Sequence, residues 1–200
     1  MPRSSADSAL AFIRERGVVR ARDLEAAGLS RMWLTRLGRL GLVERVGRGL
    51  YVAADAQWTE HHSLAEVAAR VPHGVVCLLS ALNVHGLTTQ APSEVWVAVD
   101  RKARAPREPG LPIRLVRFSG AALTSGIEER SVEGVTVRVY SPAKTVVDCF
   151  RYRNKIGLDV AIEALRDCYR QRLATVDELW EYASKLRVAA VIRPYLESLE

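Results

Sequence analysis

The first fifty residues divide into three short helices and a hairpin, and this order restricts the fold more than any other feature of the sequence. Gly17, Gly28 and Gly41 each follow a short amphipathic stretch, where a left-handed residue ends a helix. Two strand-like runs then flank Gly47-Arg48-Gly49, which is typical of a tight hairpin. Helix, helix, helix and hairpin in this order predict a winged helix-turn-helix.

The third predicted helix, Arg31–Leu40, has two chemically different faces. At about 100° per residue, the apolar side chains fall on one side and the polar ones on the other. We expect the apolar face (Trp33, Leu34, Leu37 and Leu40) to pack on a small core. The opposite face can enter the major groove, where Arg binds guanine and Thr contacts a thymine methyl or a phosphate. The predicted major-groove residues are Ser30, Arg31, Thr35, Arg36 and Arg39. The alternative is an ordinary amphipathic surface helix.

Positive charge is concentrated in the same part of the chain. Residues 1–56 carry ten arginines and six acidic residues, which is most of the net charge of +6. An arginine-dense small segment is typical of a nucleic-acid-binding module. We expect Arg45 and Arg48 to serve the wing, and Arg20 and Arg22 to contact phosphates. The alternative for the wing is a solvated hairpin with incidental charge.

The remaining residues alternate between strand and helix patterns. Strands are predicted at 95–99, 113–118, 129–132 and 135–140, a buried helix at 75–82, and further helices from Ser141 onward. The fold class is therefore α+β. A winged helix-turn-helix of residues 1–56 precedes a mixed domain of residues 57–200, with a small, mainly antiparallel sheet and C-terminal helices. The segment Arg101–Gly110 is predicted to be a loop, because it is polar and interrupted by proline.

Several classes of protein are disfavoured by what the sequence lacks. Three scattered cysteines form no CxxC pair, so we expect neither disulfides nor a zinc site, and no metal or cofactor. No apolar run reaches the ~18–20 residues that a membrane span needs, and Met1–Ser5 begins no secretory signal. The prediction is a cytoplasmic protein without a membrane partner.

The sequence contains no complete catalytic motif, so the chain is not predicted to be an enzyme. Asp100-Arg101-Lys102 partly resembles the acid-x-Lys element of a metal-dependent nuclease, but it lacks a well-placed upstream acid. Two interpretations of such a DNA-binding chain therefore stay open. One is a nuclease tethered by the winged helix. The other is a transcriptional regulator whose second domain senses a ligand or dimerises.

Three groups of residues resemble the AbiEi family of antitoxins, from type IV toxin–antitoxin systems of abortive infection. They are the basic segment Gly41–Tyr51, the strings Leu79–Leu82 and His85-Gly86-Leu87, and the strings Ser141–Thr145 and Val147–Phe150. Each string is short, and the resemblance lies in their order and spacing along the chain.

The resemblance implies a phage-defence protein in two parts. The N-terminal domain would bind inverted repeats of double-stranded DNA in its own operator and repress the operon. The second domain would counteract a cognate nucleotidyltransferase-like toxin without forming a stable complex with it.

Lys144, Asp148 and Arg151 are predicted to share one face of the helix that Pro142 opens, because they are four and three residues apart. Two interpretations are open. The face is either a solvated row of ion pairs, or a recognition surface for the antitoxin activity with nucleic acid as one candidate partner.

Overall fold

The computed structural model describes residues 5–47, 49–56, 62–104 and 112–199. The chain forms two compact units, one of Met1–Pro72 with Ser131–Val137 and the other of His73–Arg130 with Arg138–Glu200. The predicted domain of residues 1–56 lies inside the first unit. Within the described residues, no helix is both long and apolar enough to cross a lipid bilayer.

The first unit has the helix and strand order of a winged helix. Its elements are α1 (Ser5–Arg16), α2 (Ala21–Ala26), α3 (Met32–Arg39), β1 (Val43–Gly47), β2 (Leu50–Ala53) and α4 (His62–Arg70). β1 and β2 form an antiparallel hairpin, and Val19 bridges to Tyr51 as a third, one-residue strand. The apolar faces of the three first helices meet in one core, which contains Ile13, Leu24, Leu34, Leu37 and Val43.

A distant hairpin tip belongs to this first unit. Glu133 and Gly134 are both left-handed (φ 49° and 74°), which is the geometry of a two-residue hairpin turn. The carbonyl of Glu133 accepts a hydrogen bond from the N–H of Val18 at 3.3 Å, and the Glu133 carboxylate lies 2.8 Å from Nδ1 of His62. Nothing in the local sequence near residue 133 indicates these contacts.

We expect Gly134→Ala to destabilise the protein more than Gly41→Ala does. Both residues have a positive φ, so each substitution costs about 1–2 kcal/mol in backbone strain. A Cβ at Gly134 would also overlap the carbonyl of Arg16, whereas one at Gly41 would meet open space. Urea unfolding should therefore show a loss of about 2–5 kcal/mol for Gly134→Ala. Equal losses for the two variants would contradict the close approach.

The second unit is built on a five-stranded sheet. Its strands are β3 (Val75–Val76), β4 (Val95–Asp100), β5 (Ile113–Phe118), β6 (Ile127–Val132) and β7 (Val135–Tyr140), in the order β5-β4-β3-β7-β6. Residues 131–137, where β6 and β7 meet, are the hairpin tip that belongs to the first unit. β3 runs antiparallel to β4, whereas the pairs β3–β7 and β4–β5 are parallel. The α+β fold class is confirmed.

Seven helices of the described chain accompany this sheet. They are α5 (Leu78–Val84), α6 (Ala121–Thr124), α7 (Pro142–Arg151), α8 (Arg153–Ile156), α9 (Leu158–Arg170), α10 (Val176–Lys185) and α11 (Ala189–Glu197). The expectation of one helix over 75–82 is wrong. Val75–Val76 pair with β4 as a strand, and the chain turns at Leu78 (φ 48°) before α5 continues.

Helix α7 lies at the centre of the second unit. Ser141 caps it, its hydroxyl accepting a hydrogen bond from the N–H of Lys144, and Pro142 occupies its first position as predicted. The helix packs against α5, α9, α10 and α11, so that every residue of Ala143–Phe150 is buried. A helix enclosed in this way has no solvated face over most of its length.

Candidate nucleic-acid interface

Helix α3 is fixed to the core by one side and exposes the other. Leu34 and Leu37 are 4% and 2% exposed, and Trp33 is half-buried beside them. On the remaining surface the helix exposes Thr35, Arg36 and Arg39, with Arg31 just before its first turn. The helix therefore presents cations and a hydroxyl from a backbone that its apolar contacts hold in place.

The predicted packing face extends one residue too far. Leu40 is 71% exposed, although its angular position predicts burial with Leu34 and Leu37. The reason is that α3 ends at Arg39, and Gly41 (φ 69°) turns the chain so that the Leu42 N–H bonds to the Leu37 carbonyl at 2.9 Å. The Leu40 side chain therefore leaves the core at the helix end.

The polar residues of α3 differ in how far they are pre-positioned. The Ser30 hydroxyl accepts a hydrogen bond from the N–H of Met32 at 3.3 Å. The Arg36 guanidinium lies 5.2 Å from the ring centroid of Trp33, a stacking contact that restricts its rotamers. Arg31 lies 3.8 Å from the carboxylate of Glu25. Within the part of the chain that the structure describes, Arg39 makes no ion pair.

The other predicted DNA-contacting arginines are placed unequally. Arg45 is exposed on the wing, with its Nε bonded to the Gly47 carbonyl at 3.0 Å, and Arg22 is exposed beside Asp23. Arg20 is half-buried, and its guanidinium donates to the carbonyl of Ala69 inside the same unit. Arg48 lies outside the described residues. The contact of each with DNA stays a prediction.

The exposed face predicted for Lys144, Asp148 and Arg151 is wrong for the first two residues. Lys144 and Asp148 are 0% exposed and form an ion pair inside the second unit, whereas Arg151 is exposed at the end of α7. The spacing of four residues does bring the two charges together. Their burial follows from the helices that surround α7, so neither side chain can touch a partner at the surface.

Aromatic rings enclose the buried ammonium. Nζ of Lys144 lies 3.9 Å from the ring centroid of Tyr140 and 5.1 Å from that of Phe118. One carboxylate oxygen of Asp148 bonds to Lys144, and the other, Oδ1, is buried without a hydrogen-bond partner in the described residues. Burial raises the pKa of Asp148 to about 6, although the attraction of Lys144 acts in the opposite direction. Burial likewise lowers the pKa of Lys144.

His85 is held in its neutral form by two contacts of its ring. Nε2 lies 2.7 Å from the carbonyl of Tyr140, which can only accept, so this nitrogen carries the proton. Nδ1 then accepts from the guanidinium of Arg130 at 3.0 Å. Burial, and to a smaller extent the charge of Arg130, lower the pKa of His85, although the hydrogen bond to Tyr140 and the charge of Glu128 raise it.

We expect this histidine to make the protein less stable as the pH falls below about 6.5, the pKa of an unfolded histidine. The unfolded chain then takes up a proton that the folded chain resists, so the free energy of unfolding decreases. His85→Gln keeps a donor and an acceptor but cannot take up a proton. Urea unfolding between pH 7 and pH 5 should therefore show a smaller decrease for the variant. Parallel pH profiles of the two proteins would contradict the assignment.

Asp100, the acidic residue of the nuclease alternative, forms hydrogen bonds with neighbouring parts of the chain. The Asp100 carboxylate accepts a hydrogen bond from the N–H of Lys102 at 2.8 Å, and the Asp100 carbonyl accepts from Arg117 at 3.0 Å. Across the described ranges, no three His, Cys, Asp or Glu side chains lie close enough to hold a metal ion. Cys77, Cys149 and Cys168 are free and buried, and burial raises the pKa of each thiol.

A second group of cations was missed by sequence reasoning. Arg114, Arg117 and Lys155 line a cavity of about 480 Å³ in the second unit, together with Trp96 and Tyr152. The available signal was two arginines three residues apart within a predicted strand. This signal alone identifies no site, because Arg114 meets Trp96 only through the pairing of β5 with β4.

Comparison with known proteins gives two matches that together span most of the chain. Residues 7–54 match the family described as "Transcriptional regulator, AbiEi antitoxin", and residues 74–193 match the "AbiEi antitoxin C-terminal domain". The crystal structure of the RV2827C protein from Mycobacterium tuberculosis has a similar fold, with a TM-score of 0.59 and 17% identity over 90% of this chain and 71% of that chain. A comparison with curated proteins gave no significant match.

Proposed function

The chain belongs to the AbiEi family of antitoxins and transcriptional regulators, and from this premise we propose that it represses its own operon and counteracts a nucleotidyltransferase-like toxin. The first unit would bind the operator. The second would oppose the toxin's effect without forming a stable complex with the toxin.

The observation that carries the DNA-binding part is that α3 buries one face in the core and exposes the other. Leu34 and Leu37 hold the helix against the core, so its exposed arginines project from a rigid element. An α-helix fits into the major groove of B-DNA. An arginine guanidinium can form a bidentate pair of hydrogen bonds with the edge of a guanine. Ser30, Arg31, Thr35, Arg36 and Arg39 would contact bases or adjacent phosphates.

The wing and the second helix would add contacts that do not depend on sequence. Arg45 and Arg48 would approach phosphates or the minor groove, and Arg20 and Arg22 would bind phosphates. Since Arg20 already donates to the Ala69 carbonyl, we expect its contribution to be smaller than that of Arg22. Inverted repeats would be filled by two copies of the chain, bound either as a dimer or as cooperating monomers.

The antitoxin part rests on the family of the second unit. Within α7 we assign Lys144 and Asp148 an interior role, in which their ion pair lies within the helix and the Lys144 ammonium contacts the rings of Tyr140 and Phe118. Arg151, one turn further on, is exposed and would be the member of this predicted trio that contacts a partner.

Repression can be tested in cells with a reporter gene placed behind the DNA upstream of the protein's own gene. We expect the wild-type chain to lower expression, and Arg39→Ala to restore it. Arg166→Ala, which removes one exposed cation from α9, is the matched control and should repress normally. If the wild type left expression unchanged, autorepression would be wrong.

The antitoxin activity can be tested separately by expressing a nucleotidyltransferase encoded beside the gene, with and without this chain. Rescue of growth without co-purification of the two proteins is the expected result. Growth arrest in the presence of the intact chain would refute the antitoxin assignment, and it would leave the repression result unaffected.

A further inference from the structure

The cavity between strand β5 and helix α8 has a composition that the family assignment does not account for. It measures about 480 Å³, which is within the range of small-molecule sites and far larger than a single phosphate requires. Three of its lining residues are cationic, two are aromatic, and none of the described lining residues is acidic. Positive charge facing an open cavity attracts an anion.

One wall of the cavity is a stacked pair of side chains. β4 and β5 pair in parallel with Trp96 directly opposite Arg114, so both side chains lie on the same face of the sheet. The Arg114 guanidinium lies 4.5 Å from the ring centroid of Trp96, and Trp96 itself is only 6% exposed. Arg114 lies 3.9 Å from the carboxylate of Glu94, which is exposed, so this attraction is screened by water.

The second cation, Arg117, is fixed by the backbone around it. Its guanidinium donates to the carbonyl of Asp100 at 3.0 Å and to the carbonyl of Ala103. Arg117 is three residues from Arg114 on β5, so the two side chains leave opposite faces of the sheet. These bonds hold the Arg117 guanidinium at the C-terminal end of β4, so Arg114 and Lys155 are the cations left to bind a ligand.

Helix α8 supplies the opposite wall. Lys155 lies with Nζ 5.5 Å from the ring centroid of Tyr152, whose ring contacts that of Phe118 at 5.5 Å between centroids. Lys155 therefore lines the cavity next to an aromatic ring that the core holds in place. Because β5 is an edge strand of the described sheet, no further strand closes this side.

We propose that this cavity binds a nucleotide, with its phosphate bound by Lys155 and its base stacked on the Arg114 guanidinium. Guanidinium planes and aromatic rings are the surfaces on which unpaired bases stack, and an ion pair with phosphate supplies the remaining attraction. The ligand is either a free nucleotide or the phosphorylated end of a single-stranded nucleic acid, which share this chemistry. The proposal does not depend on operator binding by α3.

The test is calorimetric titration of the full chain with GMP, guanosine and inorganic phosphate at physiological ionic strength. We expect GMP to bind at least about tenfold more tightly than either of its parts, because only GMP uses both the Lys155 ammonium and the stacking surface. Phosphate binding as tightly as GMP would show that no base enters the cavity and would overturn the proposal. So would the absence of GMP binding.

Variants locate the site. Arg114→Gln and Lys155→Gln should each weaken GMP binding about tenfold or more. Arg166→Gln, a change of equal charge on the exposed surface of α9, should leave it unchanged. Lys155 is exposed near the end of α8, so its variant keeps the test valid if the loss of Arg114 disturbs folding. GMP binding that is unaffected by Lys155→Gln would overturn the proposal.

Two further measurements distinguish a free nucleotide from a nucleic-acid end, and the cavity from the surface of α3. If a 5′-phosphorylated single-stranded tetranucleotide binds more tightly than GMP, the natural ligand is a nucleic-acid end, and equal affinity indicates a free nucleotide. Both results support the cavity. Arg39→Ala should leave GMP binding unchanged, and Lys155→Gln should leave operator binding unchanged. Loss of GMP binding in Arg39→Ala would mean that the nucleotide occupies α3 instead, and would overturn the proposal.

Discussion

We expect Lys144→Met to lose about 3–5 kcal/mol of the free energy of unfolding at pH 7, because it leaves the charge of Asp148 buried and unpaired. Asp148 is 0% exposed, and one of its oxygens already lacks a hydrogen-bond partner among the described residues. Urea unfolding followed by circular dichroism measures the loss. The loss should be smaller at pH 5, because Asp148 without Lys144 can then take up a proton.

A double variant separates the ion pair from the packing around it. Lys144→Met combined with Asp148→Leu removes both charges, so we expect it to recover most of the stability that the single variant loses. Arg170→Met is the control, because it breaks a pair with Asp167 that is exposed on the Arg170 side and is worth less than about 1 kcal/mol. A loss for Lys144→Met as small as that of Arg170→Met would contradict the buried pair.

The second large effect is expected at the surface of α3. Arg31→Ala and Arg39→Ala should each weaken operator binding by about 1–3 kcal/mol and reduce the preference for the operator over other sequences. The expected reason is the loss of two donors aimed at a guanine. Arg31 lies 3.8 Å from the carboxylate of Glu25. Loss of Arg31 therefore also leaves that negative charge without its neighbouring cation, and it would repel the DNA phosphates.

Titration of labelled operator and scrambled duplexes with each variant measures both quantities. Arg166→Ala carries the same change in net charge outside α3 and should bind the operator like the wild type. If Arg31→Ala and Arg39→Ala both bound like the wild type, α3 would not be the recognition helix.

The first unit could be predicted from the sequence because its signals are local. Gly17, Gly28 and Gly41 are all left-handed, as the helix ends require, and the core leucines of α3 follow from its periodicity. The hairpin tip at Glu133 and Gly134 could not be placed in this unit. Its contacts join residues 71 or more positions apart, and no local pattern encodes such a distance.

At the centre of the second unit, the sequence predicts the pairing of two charged residues but not their burial. The spacing of Lys144 and Asp148 correctly predicts that they pair, since residues four apart are neighbours on a helix. Whether that face is solvated depends on α5, α9, α10 and α11, which pack around α7 from other parts of the chain. The usual rule that charged residues are exposed therefore gave the wrong burial.

Two features of the sheet were also beyond local signals. β3 is only two residues long and adjoins the apolar helix α5, so the two form one continuous hydrophobic run in the sequence. Trp96 and Arg114 become neighbours only because β5 runs parallel to β4 in a particular register. The intervening segment of residues 101–112 is long enough for either strand direction, so the cavity beside Arg114 could not be anticipated.

The central claim is that the first unit recognises a specific DNA sequence, and its most direct test is binding of the wild-type chain to the DNA upstream of its own gene, against a scrambled duplex, across a salt series. We expect the operator to bind about 10³-fold or more tightly than the scrambled duplex at physiological salt. Affinity for both duplexes should fall steeply as salt rises, because bound arginines release counterions from the phosphates. Equal and weak binding to both duplexes would contradict the claim and leave the arginines of α3 as a general electrostatic anchor.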